Sequence, residues 1–226
     1  MSFQRFLNNH IYKHLLKLYL RFNTVTTIGG LKIKVLKGVF HPKLFFSTPY
    51  LFNYLNSQNI QSKCFLEIGC GSGVIAVLAH KKGAKVTAID IDKRAVENTR
   101  QNFALHFGPA HNAQIKQSDL FNNLSPQQFD NIIINPPYFF KKVESDWQNA
   151  WYCGAEGEYF INLFAGLRNY IHPQTEILMI LADNCDIERI KSIADKNRFQ
   201  FSLVEKKKVK WEMNFIFRIK YLPSAE

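Results

Sequence analysis

The sequence has no hydrophobic run long enough to cross a membrane as a helix. Spanning the apolar core of a bilayer takes about 20 consecutive apolar residues, and no run in this chain of 226 residues is that long. Arg5, Lys13 and Lys17 interrupt the apolar residues near the start, whereas a secretory signal has an unbroken apolar centre. We therefore expect a cytoplasmic protein that has no membrane partner.

The chain also has little cysteine. Its four cysteines form no C-x-x-C pair and have no histidines at the spacing of metal ligands. This pattern favours reduced thiols and no metal site, with a structural disulfide or a zinc site as the less favoured alternative. The four are Cys64, Cys70, Cys153 and Cys185.

Acidic residues are missing from the first 66 positions, and the formal net charge of the whole chain is +11. The same segment contains nine basic residues: Arg5, Lys13, Lys17, Arg21, Lys32, Lys34, Lys37, Lys43 and Lys63. A surface with charge of one sign attracts polyanions and steers their approach. Nucleic acid is therefore a candidate partner, and a merely solubilising positive surface is the alternative.

The order of sequence patterns predicts an α/β protein. Residues 3–22 place apolar side chains on one helical face, which predicts a helix packed on the body of the protein, with a helix on a membrane surface as the less favoured alternative. In the run "TVTTIGGLKIKVLKGVF", apolar and polar residues alternate on both sides of Gly29 and Gly30, which predicts a β-hairpin. From residue 64 strand and helix patterns alternate, which requires a mostly parallel sheet covered by helices. Two final strands without an intervening helix predict an antiparallel return.

A glycine-rich loop follows the first of these strands. The stretch "FLEIGCGSG" at residues 65–73 places Gly69, Gly71 and Gly73 between an apolar strand and a helix. Glycines allow a sharp turn and a close backbone approach to a ligand, and the helix start offers free N–H groups. The dinucleotide-binding version is G-x-G-x-x-G. Here position 74 is Val74, which argues against NAD and against an oxidoreductase.

Two further motifs lie at strand ends. "VTAID" ends in Asp90, about 20 residues after the glycine loop, where a carboxylate accepts both hydroxyls of a ribose. Asp92 is interpreted as the cap of the helix that begins at Lys93. The strand "DNIIIN" continues into "NPPY", residues 135–138. Two prolines make this segment stiff, and open α/β sheets bind ligands at the carboxyl ends of their strands.

This order of motifs resembles the class I S-adenosylmethionine-dependent methyltransferases, and within them the HemK-like and methyltransferase small domain enzymes that carry N-P-P-[YF]. The resemblance covers about residues 38–220. It implies a Rossmann-like, seven-stranded, mostly parallel sheet with an antiparallel last strand and helices on both faces. Residues 51–226 would form this S-adenosyl-L-methionine-binding domain, and residues 1–50 a basic appendage made of the helix and the hairpin.

The resemblance also implies a set of cofactor-binding residues. Those around the methionine part are Glu67, Gly69, Cys70, Gly71 and Gly73. Asp90 matches the acidic residue that binds the ribose of the cofactor in this family. The segment "QSDLF" matches the adenine motif, so Ser118, Asp119 and Leu120 should border the adenine, with Asp119 at its exocyclic amine.

"NPPY" is expected to carry the chemistry. An amide or base amine is a poor nucleophile because its lone pair is delocalised. If the Asn135 side-chain oxygen and the Pro136 carbonyl each accept one N–H, the lone pair can turn towards the methyl donor. Tyr138 would stack on the planar target and Pro137 would keep the loop rigid. The expected substrate is therefore a planar amine, with Asn135 also bordering the cofactor.

The identity of that amine stays open at this level. The basic segment favours an exocyclic base amine in RNA, or in DNA, and the rings of residues 40, 41, 45, 46 and 50 suit an unpaired base or, equally, form a lid or core. The alternative is a glutamine side chain in a translation release factor, because "NAWYCGAEGEYFINLF" resembles the HemK-like segment. "HPKLFFST" lacks the acidic-Thr pair usual there. Outside the enzymes, a non-catalytic RNA-binding module remains, and a need for an activating protein partner is left open.

A late cluster, "EKKKVKWE" at residues 205–212, is predicted to join the last two strands. The preferred interpretation is a solvated hairpin, and phosphate contact by Lys206, Lys207 and Lys208 is the second.

Overall fold

The computed structural model describes residues 22–43, 46–210 and 212–223. The helix predicted over residues 3–22 lies outside the described residues except for its last position, and so do Phe45 and all of the basic residues before Phe22. Within the described part, no helix combines the length and apolar character needed to cross a membrane. The four cysteines are free thiols in the structure.

A seven-stranded sheet forms the centre of the protein, with strand order β5-β4-β3-β6-β7-β9-β8. The strands are β3 (Cys64–Ile68), β4 (Lys85–Asp90), β5 (Gln114–Gln117), β6 (Phe129–Ile134), β7 (Ile171–Ala182), β8 (Phe199–Val209) and β9 (Glu212–Tyr221). Strands β3 to β7 pair in parallel, and β9 is antiparallel to both of its neighbours. The predicted mostly parallel sheet with an antiparallel last strand is confirmed.

Helices cover both faces of the sheet, as predicted. They are α1 (Ser47–Ser57), α2 (Val74–Lys81), α3 (Lys93–Phe107), α4 (Glu158–Leu167) and α5 (Ile187–Lys196). Because successive strand residues point to opposite faces, Phe65 joins a core under α1, α2 and α3, whereas Leu66 joins a second core under α4 and α5. The central strands are apolar on both faces for this reason.

The predicted hairpin consists of β1 (Thr24–Ile28) and β2 (Leu31–Val35). Gly29 and Gly30 form its two-residue turn with φ of 53° and 80°, which is the left-handed pair that a tight hairpin needs. The inward residues of the hairpin, such as Ile33, join the same core as α1, α2 and α3. The division of the chain at residue 50 stays a prediction.

Helix α1 was not predicted from the sequence. Its segment "STPYLFNYLNS" contains a proline, and no side chain caps its start. Pro49 is tolerated because it lies in the first turn, where backbone N–H groups have no partner within the helix. Leu51 and Leu55 bury one face against the core. A short 3₁₀ helix, Asp146–Ala150, was also not predicted.

Candidate active site

The carboxyl ends of three neighbouring strands bring the sequence motifs together. In the sheet Ile68 pairs with Ile89 on one side and with Ile134 on the other. The residues that follow, Gly69, Asp90 and Asn135, therefore lie side by side. A Cβ at Gly69 would stand only 4.0 Å from the backbone oxygen of Asn135. The glycine loop and the N-P-P-Y segment form one site at this edge.

The glycine loop is closed on one side and open on the other. Gly73 has φ of 75°, and a Cβ there would meet Thr99 of α3 at 2.7 Å. Gly71 has φ of 53°, yet a Cβ there would meet no atom within 4 Å. A side chain at either position would be strained, but only at Gly71 would it project into open space. The open side of the loop is the side from which a ligand can approach the backbone.

Two side chains of this segment point inward rather than towards the open side. Glu67 is buried, and its Oε2 accepts a hydrogen bond of 2.8 Å from the N–H of Ala76 in α2. Burial raises the pKa of this carboxyl, and the nearby Asp90 adds to the rise. Cys70 is also buried, and the hydroxyl of Thr99 donates to its Sγ at 3.3 Å. The Cys70 side chain thus packs against α3.

Asp90 ends β4 with a carboxylate that has spare acceptor capacity. Its Oδ2 accepts from the N–H of Gly71 and its Oδ1 from the N–H of Asp92, both at 2.9 Å. The N–H of Ile91 also interacts with this carboxylate. A carboxylate has about four acceptor sites, so acceptor capacity remains for a further donor. Burial raises the pKa of Asp90 to about 6. Asp92 caps α3 by accepting from the N–H of Arg94 at 2.8 Å, as interpreted from the sequence.

The segment after β5 lies next to Asp90, since the N–H of Ser118 donates to the Asp90 carbonyl at 2.9 Å. The Ser118 hydroxyl is occupied within its own loop: it donates to the Leu120 carbonyl at 2.7 Å and accepts from the N–H of Asn123 at 2.9 Å. Leu120 is 9% exposed and has a left-handed φ of 45°. Of Ser118, Asp119 and Leu120, only Asp119 is exposed.

A cavity of about 610 Å³ opens beside this part of the site. That volume is in the range of small-molecule pockets. Two of its lining side chains are large, apolar and exposed: Ile91 at 42% and Trp147 at 44%. The sequence interpretation missed both, because Ile91 lies between two acids and Trp147 in a loop without a motif. The other lining residues are Asp92, Lys93, Arg94, Gln117, Asp146 and Asn149.

The Asn135 side chain is held at both ends of its amide. Its Oδ1 accepts from the Tyr138 hydroxyl at 2.7 Å. Its Nδ2 donates to Thr48 Oγ1 at 3.2 Å and lies 3.5 Å from Ser47 Oγ. Burial raises the pKa of the Tyr138 hydroxyl, which therefore stays neutral and remains a donor. In the structure the amide oxygen faces Tyr138 and the amide nitrogen faces α1.

Sequence reasoning missed Ser47 and Thr48. They begin α1, almost 90 positions before Asn135, and they are 1% and 6% exposed. Buried hydroxyls need partners, and a weak signal was present in "ST" ahead of an apolar run. The two residues contact Asn135 only because α1 packs beside the ends of the strands.

The rings between residues 40 and 50 have different environments. His41 and Tyr50 are 3% and 5% exposed, so these two belong to the buried interior, which was one of the two expected alternatives. Phe40 packs against Trp151 at 5.1 Å between ring centroids. Phe46 lies under Lys210, whose Nζ is 5.2 Å from the ring centroid. Phe40 and Phe46 remain candidates for contact with a base.

The comparison with protein families agrees with this geometry. The family described as "Methyltransferase small domain" matches residues 30–152, which is more than half of the chain. This chain belongs to the methyltransferase small domain family. The matched range contains the glycine loop, Asp90 and the N-P-P-Y segment.

The names of two curated relatives of this methyltransferase small domain protein specify different substrates. A Methanocaldococcus jannaschii protein, provisionally named as a protein N5-glutamine methyltransferase, is 31% identical over 65% of this chain and 74% of its own length. The tRNA1(Val) (adenine(37)-N6)-methyltransferase of Shewanella halifaxensis is 31% identical over 54% of this chain. The match spans about half, 51%, of that enzyme.

A solved structure has the same fold. The crystal structure of a methyltransferase from Pyrococcus furiosus superposes with a TM-score of 0.62 at 21% identity, over 95% of this chain and 100% of the other. The Rossmann-like architecture expected from the sequence is therefore confirmed.

The residues at the sheet edge fit the family's cofactor. The open side of Gly71 allows close backbone approach, and the Asp90 carboxylate has acceptor capacity left for a ribose hydroxyl. The protein is an S-adenosylmethionine-dependent methyltransferase, and S-adenosyl-L-methionine is its cofactor.

Proposed function

We propose that this enzyme methylates an exocyclic amine of a base in RNA. The observation that carries the proposal is the Asn135 amide, held by Tyr138 and Thr48 beside the glycine loop. Such an amide presents its oxygen in a fixed direction at the edge where the cofactor is expected. A planar amine, rather than a carbon or a hydroxyl, is the substrate group that needs this acceptor.

The cofactor would lie along the edge formed by β3, β4 and β5. Its contacts would be the backbone at Gly69, Gly71 and Gly73, the Asp90 carboxylate at the ribose, and Asp119 near the base. When bound, S-adenosylmethionine supplies an electrophilic methyl group. Glu67, Cys70 and Ser118 would act indirectly, because their side chains hold the loops in place.

Asn135 and Pro136 prepare the nucleophile. The carbonyl oxygen of an amide has two lone pairs, and the Tyr138 hydroxyl uses one on Oδ1 of Asn135. The second would accept one N–H of the substrate, while the Pro136 carbonyl accepts the other. Both acceptors would stabilise the positive charge that develops on nitrogen, and the methylated amine would then release one proton to solvent. Catalysis would therefore depend on positioning and electrostatics. Tyr138 remains neutral and is not a base in this scheme.

RNA is preferred over protein because of the charge of the chain. A net charge of +11 favours a polyanion, and the Shewanella relative is named for an adenine-N6 in tRNA. The second candidate is a glutamine side chain of a translation release factor. It is favoured by the match to the relative named for N5-glutamine, which spans 74% of that protein.

The test uses S-adenosylmethionine with a labelled methyl group, the purified protein, and an extract from a strain that lacks the gene. After reaction the extract is split into RNA, DNA and protein. We expect label in the RNA fraction. Label in one protein band instead would show that the substrate is a protein glutamine and not RNA. No label in any fraction, despite binding of the cofactor, would favour a non-catalytic RNA-binding module.

An Asn135→Ala variant is the control for the catalytic assignment. Loss of one fixed hydrogen-bonding group of an active site typically costs about 100- to 1,000-fold in rate. We expect a loss of transfer of this size with nearly unchanged affinity for S-adenosylhomocysteine, measured by thermal shift. A variant that retains full activity would show that Asn135 is not the acceptor.

A further inference from the structure

The end of the β8–β9 hairpin extends beyond the rest of the sheet. Strand β7 stops pairing with β9 at Ala182 and Asn214, whereas β8 and β9 continue to the pair of Val209 with Glu212. This extension lies at the carboxyl end of β7, because the N–H of Asp183 donates to the Met213 carbonyl at 2.9 Å. The hairpin end therefore projects at the same edge of the sheet as the candidate active site.

The hairpin end also contacts the start of α1. Lys210 lies over the ring of Phe46, with 5.2 Å between Nζ and the ring centroid. Phe46 directly precedes Ser47, and Ser47 and Thr48 are the residues that contact Asn135. The Tyr50 hydroxyl of α1 donates to Glu205 of β8 at 2.9 Å. The hairpin end is thus one contact away from the residues that orient the catalytic amide.

The charges at this end are unbalanced. Its three consecutive lysines Lys206, Lys207 and Lys208 are exposed and form no ion pair with any residue that the structure describes. Three carboxylates lie nearby: Glu205 accepts from Tyr50, half-buried Glu212 accepts from Asn214 at 3.1 Å, and Asp183 is exposed beside Glu212. Residues 205–212 contain four lysines and two glutamates, so this segment carries a net charge of +2.

The alternation of strand residues distributes these charges over both faces. Lys206 and Lys208 share one face of the hairpin and Lys207 points to the other. A chain with closely spaced negative charges that passes across the hairpin end can contact both faces. A single small anion would need the charges to converge on one point, which the alternation prevents.

We propose that the hairpin end, residues 206–210, binds the phosphate backbone of the RNA whose base enters the candidate active site. The inference rests on the proposed function, since it names the surface that holds the same substrate. It replaces the preferred interpretation of this cluster as a solvated hairpin with the second one. Phosphate contacts position nucleic acid without reading its sequence.

The test compares two triple variants with the same change in charge. The first is Lys206→Gln, Lys207→Gln, Lys208→Gln. The matched control is Lys63→Gln, Lys81→Gln, Lys85→Gln, whose exposed lysines lie at the opposite, amino-terminal edge of β3 and β4. Binding of a fluorescent single-stranded RNA of mixed sequence is measured by anisotropy between low and moderate salt. The KM for the RNA substrate is measured in parallel.

We expect the hairpin variant to bind RNA roughly tenfold more weakly. The slope of log affinity against log salt should become smaller by about two, because each of the three lost phosphate contacts on a single strand contributes about 0.7. The control variant should keep most of the slope and the wild-type KM. A thermal shift with S-adenosylhomocysteine confirms that both variants fold.

Two results would overturn the inference in distinguishable ways. If the wild-type enzyme methylates RNA but the hairpin variant keeps its slope and KM, the hairpin end does not bind the substrate and the proposed function stands. If the wild-type enzyme labels only protein, the RNA proposal itself fails and the hairpin assignment fails with it.

Discussion

At the residue scale, the orientation of the Asn135 amide decides whether the candidate active site offers the substrate a hydrogen-bond acceptor or a donor. The Asn135 nitrogen points to Thr48 and its oxygen to Tyr138, so the oxygen is the group left to meet a donor from the substrate. Rotation of the amide by half a turn would present a donor instead. Thr48 is therefore a positioning residue for Asn135.

Replacing Thr48 by Val should lower kcat about five- to tenfold, because it removes one neutral hydrogen bond of about 1 kcal/mol while keeping the volume of a buried side chain. Affinity for the cofactor and the KM for RNA should change little. Thr48→Ser keeps the hydroxyl and should restore most of kcat. Equal kcat in the Val and Ser variants would show that the contact has no role in positioning.

The Asp90 carboxyl gives a pH dependence at the same scale. Its pKa is raised by burial to about 6, and the ionised form is the stronger acceptor for ribose hydroxyls. The dissociation constant for S-adenosylmethionine should be nearly constant above pH 7 and should rise about tenfold per pH unit below pH 6. Calorimetric titration measures it. An Asp90→Asn variant should bind weakly without this pH dependence, and a wild-type constant that is flat down to pH 5 would refute the role of Asp90.

At the element scale, α3 links the hairpin β1–β2 to the glycine loop. Asn102 is fully buried, accepts from the N–H of Lys34 at 2.8 Å, and donates to the carbonyls of Lys34 at 2.7 Å and Ser72 at 2.8 Å. Thr99, one turn earlier, donates to the Gly71 carbonyl at 3.2 Å. The helix therefore holds the loop backbone on its closed side while the other side stays open.

Removal of this link should destabilise the protein. Asn102→Ala loses three hydrogen bonds and leaves buried backbone groups without partners, so we expect the free energy of unfolding to fall by about 3 kcal/mol. Denaturant titration measures the change. Gln101→Ala, on the neighbouring position of α3, removes only a bond to Glu97 and should cost less than about 0.5 kcal/mol. Similar costs for the two variants would contradict the linking role.

At the scale of the whole molecule, the net charge of +11 should govern the encounter with substrate. For RNA we expect log kcat/KM to fall linearly with log salt, because bound phosphates release counterions at about 0.7 per contact on a single strand. Initial rates at several salt concentrations measure the slope. A flat profile would count against RNA, and a release factor substrate should show little salt dependence.

The sequence alone was sufficient for those features that depend on local order along the chain. The strand–loop–helix run at residues 65–81, the acid at the end of β4 and the N-P-P-Y segment follow one another in a fixed order, and parallel strands necessarily bring their carboxyl ends to one edge. The Gly29-Gly30 turn and the Asp92 cap were predictable because each needs only its immediate neighbours.

Tertiary structure decided the features that depend on contacts between distant segments. Ser47 and Thr48 contact Asn135 only because α1, which had no clear helix signal, packs at the strand ends. The inward direction of Glu67, Cys70 and Ser118 follows from the packing of α2 and of the loop after β5, which no local pattern encodes. The lysines of the β8–β9 hairpin could be counted in the sequence, but their place beside the active-site edge depends on where β9 pairs with β7. Local propensity acts over a few residues, whereas these contacts join segments tens of residues apart.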